Sequence, residues 1–278
     1  TYLGSKVVAG SFEPELLQRR DGGGISLREA VEAVGGKPDE LDREAIGAGE
    51  WLGYFELHIE QGPVLYERKV PVALVKAIAG QVRAEVTFVG MAGHAGTVPM
   101  DMRKDALCGA SEFVLGVEDA AGVAGSGWVA TVGKLEIKDA ASNVIPGEVV
   151  CSVDVRSADA GILERGYEQL RLLGEDIGSR RGLGVRWKVV QATAPVGGDE
   201  RMNRLLGESI GASGYPVLEL VSGAGHDAVP VSAVSPVCML FVRCYKGISH
   251  HPLEDVEKED LAAAIAVAEI FLNRLTEI

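Results

Sequence analysis

The sequence predicts an α/β chain in two parts: a discontinuous α/β domain at 1–79 and 195–278, and a β-α-β-β-α-β unit inserted at 80–194. Three observations predict it. Between Gln81 and Ala194 the periodicity alternates between two and about 3.6 residues, the signature of strands and helices in turn. The flanking segments resemble each other in style, each offering an apolar strand candidate and an amphipathic helix. No internal repeat competes with this division.

Taken in chain order, Ser26-Leu27-Arg28-Glu29 has the spacing of a capping box and opens a helix with Leu27, Ala30, Val31 and Val34 along one side. Residues 54–60 form an apolar-rich strand on which Glu56, His58 and Glu60 share one face, while Leu57 and Ile59 turn toward the core. Val82, Ala84, Val86 and Phe88 alternate with polar neighbours in a strand with one wet face, and residues 103–118 follow as a helix. Leu135 and Ile137 alternate with Lys134, Glu136 and Lys138. Val149, Cys151, Val153 and Val155 do the same further on, giving two antiparallel strands joined through residues 142–147. Asp159 is placed to cap a helix carrying Leu163, Tyr167, Leu170 and Ile177, closed by Gly178 and Gly182. Val185, Trp187 and Val189 form the last strand of the insert, completing a split βαβ order with free edges and one uncovered face. Residues 237–243 form another strand. From Glu257 to Leu275, the series Leu261, Ile265, Ala268, Leu272 and Leu275 marks an amphipathic helix.

Composition narrows the function classes. Apolar residues at 47% and charged residues at 24% are ordinary for a globular chain, and 36 glycines among 278 residues imply many tight turns. A net charge of −13 argues against a nucleic-acid groove or an anionic membrane surface, leaving small molecules or protein partners. Cys108, Cys151, Cys238 and Cys244 form no C-x-x-C pair, and they are expected to be reduced, buried residues of a cytoplasmic protein. Neither a signal sequence nor an apolar run of ~18 residues is evident. The start at Thr1-Tyr2-Leu3, without methionine, points to a processed or truncated chain.

Three of the five histidines fall in two motifs, Phe55 to Pro63 and Gly247 to Glu254, each beside carboxylates and glycines. Neutral imidazole binds first-row cations, and a nearby carboxylate can fix the ring tautomer, so His58 reads as a metal ligand or as a structural residue beside a core strand. His250 and His251 are adjacent, so one at most should face a site; His250, directly after the turn, is the better ligand candidate. Catalytic metals usually take three protein ligands and keep an open position, so two histidines leave the centre incomplete. Ser222-Gly223-Ala224-Gly225-His226-Asp227 can present backbone N–H groups to an anion, and His226 either donates to a developing oxyanion or caps the next turn. His94 lies in the turn Gly93-His94-Ala95-Gly96. Asn143 and Arg156 sit near the two central strands of the insert. They could hold a carboxylate, or Arg156 could simply pair with Asp154.

The motifs occur together and in one order: H-I-E-Q-G-P at 58–63, G-M-A-G-H-A-G-T-V-P-M at 90–100, S-N-V-I-P-G at 142–147, D-V-R at 154–156, S-G-A-G-H-D-A at 222–228 and G-I-S-H-H-P-L-E at 247–254. In this the whole chain resembles the ureidohydrolase branch of the dinuclear metallopeptidase family, which includes allantoate amidohydrolases and N-carbamoyl-L-amino-acid hydrolases. The resemblance implies a metallopeptidase-like α/β catalytic domain holding two divalent ions, manganese or zinc, and a ferredoxin-like lid that also forms a homodimer contact. It implies that His58 and His250 are metal ligands, one per ion. Gln61, His94, Asn143 and Arg156 would touch substrate, Arg156 and Asn143 holding its carboxylate, and lid residues such as His94 and Asn143 could complete a neighbouring subunit's site. Gly223, Gly225 and His226 would line the same pocket, with His94 and His226 in catalytic roles.

The chain also departs from that family. Members carry an H-x-D motif, a bridging aspartate and a Glu-Glu pair, and Thr1 to Ser5 resembles the segment that follows that pair. Three of five ligands and the general base are therefore expected to be missing, with weak or no metal binding and negligible turnover by this chain alone. The expected reaction is hydrolysis of a small ureido carboxylate, allantoate favoured over N-carbamoyl amino acids. A non-catalytic dimer module is the alternative of another class.

Overall fold

The structure, a computed structural model, describes residues 2–123 and 125–276. The chain divides into two compact units, one running to Ile78 and resuming at Gly197, the other comprising Ala79–Val196. The first opens with α1 (Leu3–Val8), α2 (Leu27–Ala33), β1 (Tyr54–Ile59), α3 (Val64–Arg68) and β2 (Val72–Ile78). The second follows with β3 (Gly80–Val89), β4 (Gly93–His94), α4 (Ala106–Ala121), β5 (Trp128–Thr131), β6 (Leu135–Ile137), β7 (Val144–Ile145), β8 (Glu148–Ser157), α5 (Ala160–Arg181) and β9 (Gly184–Thr193). β10 (Val196–Gly197) leads back to α6 (Glu200–Ala212), β11 (Glu219–Ser222), α7 (Ala228–Val231), β12 (Val237–Val242) and α8 (Lys258–Thr276).

In the first unit β1 pairs in parallel with β12, which runs antiparallel to β2; β10 and the parallel β11 also pair with β2. Every residue of β12 is buried, so it reads as an unbroken apolar run rather than an alternating one. Cys238, Leu240 and Val242 pack with Leu206, Ile210, Val267 and Phe271 of α6 and α8, and Phe55, Leu57 and Ile59 of β1 join them. The two-residue strand period then puts Glu56 and His58 on the opposite face, toward α7.

Two sequence expectations for helices change here. The capping box of α2 forms, Ser26 Oγ accepting from Glu29 N while Glu29 Oε2 accepts from Ser26 N, but no residue of α2 is buried and Val34 is 86% exposed. In α8 the buried stripe is Asp260, Ala263, Ala264, Val267 and Phe271, whereas Leu261, Ile265 and Leu272 are exposed. Spacings of three and four recur on both sides of this helix. The small alanines let it lie close to α6, and periodicity alone does not distinguish a large apolar side chain from a well-packed small one.

The second unit is a sheet in the order β5-β8-β3-β9, with β6 also on β8, and the helices α4 and α5 pack together against one of its faces. β8 alternates without interruption, Val149, Cys151, Val153 and Val155 buried beneath the helices and Asp154 and Arg156 on the open face. The strand expected around Leu135 is half of a longer edge: β5, which the sequence reading leaves unassigned, pairs with β8 ahead of it, the two pieces separated at residues 132–134. Asp159 caps α5 by accepting from Ile162 N, but Gly178 lies inside that helix instead of ending it, because its missing side chain lets Val185 approach. Gly182 provides the left-handed terminus at φ +64°. Cys151, Cys238 and Cys244 are buried; Cys108, on the outer side of α4, is exposed, contrary to expectation. No helix among the described residues is long and apolar enough to cross a membrane.

Candidate metal centre

Strand β1 ends where three polar side chains meet. Glu56, His58 and His226 each offer one ligand atom, and these atoms lie within 4.8 Å of one another. The first two arrive by the i, i+2 alternation of β1. His226 arrives from the loop between β11 and α7, its ring 4.6 Å from that of His58 between centroids and 6.0 Å from that of Phe241.

Each donor is held by a partner that leaves its ligand atom facing the others. His58 Nδ1 donates to the carbonyl of Ile59 at 2.9 Å, which leaves the lone pair on Nε2. Glu56 Oε2 accepts from Ala228 N at 3.0 Å, while Oε1 faces His226 Nδ1 at 3.5 Å, an electrostatic contact too long for a good hydrogen bond. His226 is 3% exposed and its Nε2 sits 2.6 Å from Ser222 Oγ, yet its buried Nδ1 has no hydrogen-bond partner. A buried polar nitrogen without a partner costs free energy unless something satisfies it.

The surroundings favour a cation. Burial alone would raise the Glu56 carboxyl, but His226, the Ala228 N–H and His58 outweigh it and hold the group below its ordinary value. Burial, and then the charges of Glu56 and Asp227, push the Tyr54 phenol up to about 12. Two imidazoles and one carboxylate suit zinc or manganese, and at ion–ligand distances of ~2.1 Å tetrahedral donors lie ~3.4 Å apart. The residues fit such an ion if the widest pair closes by no more than about 1.4 Å.

The two histidine motifs touch. Gln61, at φ +57°, donates from Nε2 to Ser249 Oγ at 2.8 Å, and Gly247, at φ +70°, packs directly on the Gly62–Pro63 backbone. His250, however, is not brought into the donor cluster: it is exposed, in the left-handed region at φ +56°, with its backbone N–H donating to Glu254. Glu60 is committed elsewhere, its two oxygens accepting from Val64 N and Leu65 N at 2.8 Å to start α3. In the glycine loop, Gly225 gives room to the Tyr2 hydroxyl, Gly223 is exposed, and Asp227 Oδ1 accepts from Ser5 Oγ at 2.6 Å.

In the second unit, the antiparallel pairing of β4 with β7 sets His94 opposite Val144, and Ala95 N donates to the carbonyl of Asn143 at 2.9 Å; both His94 and Asn143 are exposed. Arg156 lies on the open face of the sheet. Its Nε and Nη2 bond the two oxygens of Asp154 at 2.8 and 2.7 Å, and Arg83 Nε reaches the same carboxylate at 2.8 Å. A cleft of about 580 Å³ runs along this face past Arg83, Asp154, Arg156 and Val190.

Sequence reasoning placed Glu56 on the same strand face as His58 without naming it a ligand, and it passed over Ser222. The four-residue step from Ser222 to His226 was the available signal.

Three comparisons bear on this geometry. The profile of Peptidase family M20/M25/M40 matches residues 15–274. An N-carbamoyl-L-amino acid amidohydrolase of Geobacillus stearothermophilus is 37% identical over 265 residues, covering 95% of this chain and 64% of its own length; an allantoate deiminase of Arabidopsis thaliana is 34% identical over 304, covering 99% and 58%. Among solved structures, an amidase of the hydantoinase/carbamoylase family from Burkholderia multivorans superposes with a TM-score of 0.88 at 35% identity, covering 99% of this chain and 66% of that one. The chain thus spans about two thirds or less of the length of these relatives.

Proposed function

The chain belongs to peptidase family M20/M25/M40, and from that membership we propose that it supplies part of a metal-dependent hydrolase site for linear ureido or carbamoyl C–N bonds. The observation that carries this is the Glu56–His58–His226 donor set, whose one unsatisfied buried nitrogen points at the other two donors. The similar proteins named for allantoate and for N-carbamoyl amino acids support the substrate class. Allantoate is the substrate we assign, one water giving ammonia, carbon dioxide and ureidoglycine, and a second water releasing another ammonia to leave ureidoglycolate; N-carbamoyl-L-amino acids are the alternative.

A bound divalent ion, manganese or zinc, would supply a Lewis acid that lowers the pKa of water. Glu56, held ionised by its neighbours, would contribute charge, and His58 and His226 would contribute neutral lone pairs. His250 we assign to a second ion, on a loop tied to the end of β1 through Gln61 and Ser249. In the second unit Arg156, with Asn143 and His94, would take the substrate carboxylate; in the first unit Gln61 and the Gly223–Gly225 loop are assigned as substrate contacts. Arg156 would then share its guanidinium between that carboxylate and Asp154. A homodimer through the second unit is supported by the open edges at β5/β6 and β9 and by Val189 and Val190, which are 51% and 60% exposed.

Among the described residues the cluster offers three donors, too few for two ions even with His250 added, and Glu60 is turned to the start of α3, where it accepts from two backbone N–H groups. We therefore assign the 278-residue chain weak binding of an ion and negligible turnover. A substrate panel tests both statements. Ammonia is measured from allantoate, ureidoglycolate and N-carbamoyl-L-amino acids with added manganese or zinc, for the full gene product and for this chain. Release by the full product alone is expected. Release by this chain contradicts its inactivity, and release by neither contradicts the assigned reaction.

A further inference from the structure

We infer that Arg83 is a positioning residue that sets the plane of the Arg156 guanidinium through the carboxylate of Asp154, an inference that rests on the assignment of Arg156 to the substrate carboxylate. Sheet geometry brings the three side chains together. β3 pairs antiparallel with β8 in a register that sets Arg83 directly opposite Asp154, and the two-residue period of β8 puts Asp154 and Arg156 on the same open face. Val153 and Val155, the alternate residues of that strand, are buried under the helices and anchor it from the other side.

Both oxygens of Asp154 are in use. Oδ1 accepts from Arg156 Nε at 2.8 Å, and Oδ2 accepts from Arg156 Nη2 at 2.7 Å and from Arg83 Nε at 2.8 Å. A carboxylate and a guanidinium joined by two parallel bonds lie close to one plane, so whatever fixes the plane of Asp154 fixes that of Arg156 as well. Asp154 and Arg156 alone do not fix it, because the terminal torsion of an aspartate is broad and the pair can swing as a unit. The bond from the neighbouring strand stops that swing. Glu85, the other carboxylate lining the cleft, is drawn off by Lys188 at 3.2 Å and leaves Arg83 to Asp154.

Two guanidinium groups around one carboxylate leave one positive charge in excess on this face of a chain whose net charge is −13, the balance that a monoanionic carboxylate neutralises. Arginine recognises such a group through a rigid planar fork, so an error in the plane of Arg156 weakens binding directly. Removing Arg83 therefore loosens the site while leaving Arg156 itself in place.

NMR titration of the chain with N-carbamoylglycine, a small carboxylate of the proposed substrate class, reads affinity without turnover. Arg156→Gln is expected to abolish saturable binding. Arg83→Gln and Asp154→Asn are each expected to raise the dissociation constant about 3- to 10-fold, in the lower part of the range for residues that share one salt-bridge network, and Arg83→Lys to recover part of the loss. The double variant Arg83→Gln with Asp154→Asn should bind no more weakly than Asp154→Asn alone, because Arg83 acts only through that carboxylate. Arg83 is 46% exposed, so its replacement leaves the core intact, and a melting curve for each variant checks this. An unchanged constant in Arg83→Gln overturns the inference and leaves the reading of Arg156 standing, as does a further loss from Arg83→Gln in the Asp154→Asn background. No binding by the unmodified chain, or binding that Arg156→Gln does not touch, overturns both.

Discussion

Gly247 joins the two motif loops, and replacing it with alanine would part them. At φ +70° an L-residue is disfavoured by about 1–2 kcal/mol. A Cβ built there would also lie 2.5 Å from the Gly62 carbonyl oxygen and 2.5 Å from Pro63 N, far inside contact distance. Those atoms are backbone, so they cannot rotate aside, and overpacking of this kind costs a further ~1–3 kcal/mol. A total of about 3 kcal/mol lowers the melting temperature of a unit this size by about 6–12 °C. Gly214→Ala isolates the steric part. That glycine also has a positive φ, +83°, but nothing lies within 4 Å of its Cβ position, so only the conformational cost of about 1–2 kcal/mol applies. Scanning calorimetry of both variants is the assay. Gly247→Ala should melt well below Gly214→Ala, and equal shifts would show that the two loops do not touch.

On α8, Phe271→Ala should cost about 3–5 kcal/mol and Leu272→Ala less than about 1, measured by urea unfolding, because Phe271 is fully buried and Leu272 is 48% exposed. Native thiol titration at pH 8 should modify Cys108 alone among the four cysteines, since burial pushes the Cys151 and Cys238 thiols up to about 11 and about 12 and Cys244 is also buried; four should react after unfolding. Asp154 resists the upward push of burial because Arg156 and Arg83 hold its carboxyl below the ordinary 3.8, so its ionised form stabilises the fold above that pH and the contribution fades as pH falls through the lowered value. Asp154→Asn should therefore cost about 1 kcal/mol at pH 7, modest because the pair is partly exposed, and the difference from the parent should vanish in acid.

The elements with one strong local signal were legible in the sequence. The alternation of β8 and the Asp159 cap of α5 are both written within a few residues, and each forms where its pattern stands. The Ser26 cap forms too, but whether α2 is buried depends on what lies against it, which a helix pattern does not carry. β5 was missed because four residues at a sheet edge make too short an alternation, and its pairing with β8 is set by the sheet rather than by its own sequence. In the candidate site, His58 stood out by its motif. Glu56 and His226 become partners only when β1 and the loop after β11 are brought together, and they are separated by 169 intervening positions. His250 stood out by its place directly after the turn and by the motif resemblance; it lies exposed, in the left-handed region, outside the three-donor cluster, on the loop assigned above to a second ion.

Zinc K-edge X-ray absorption of the chain loaded with one equivalent of zinc tests the Glu56–His58–His226 centre most directly. Two imidazole nitrogens at about 2.0 Å beside oxygen ligands are expected, falling to one in His58→Ala and to one in His226→Ala. A spectrum without imidazole scattering, or one that neither substitution changes, would contradict the centre.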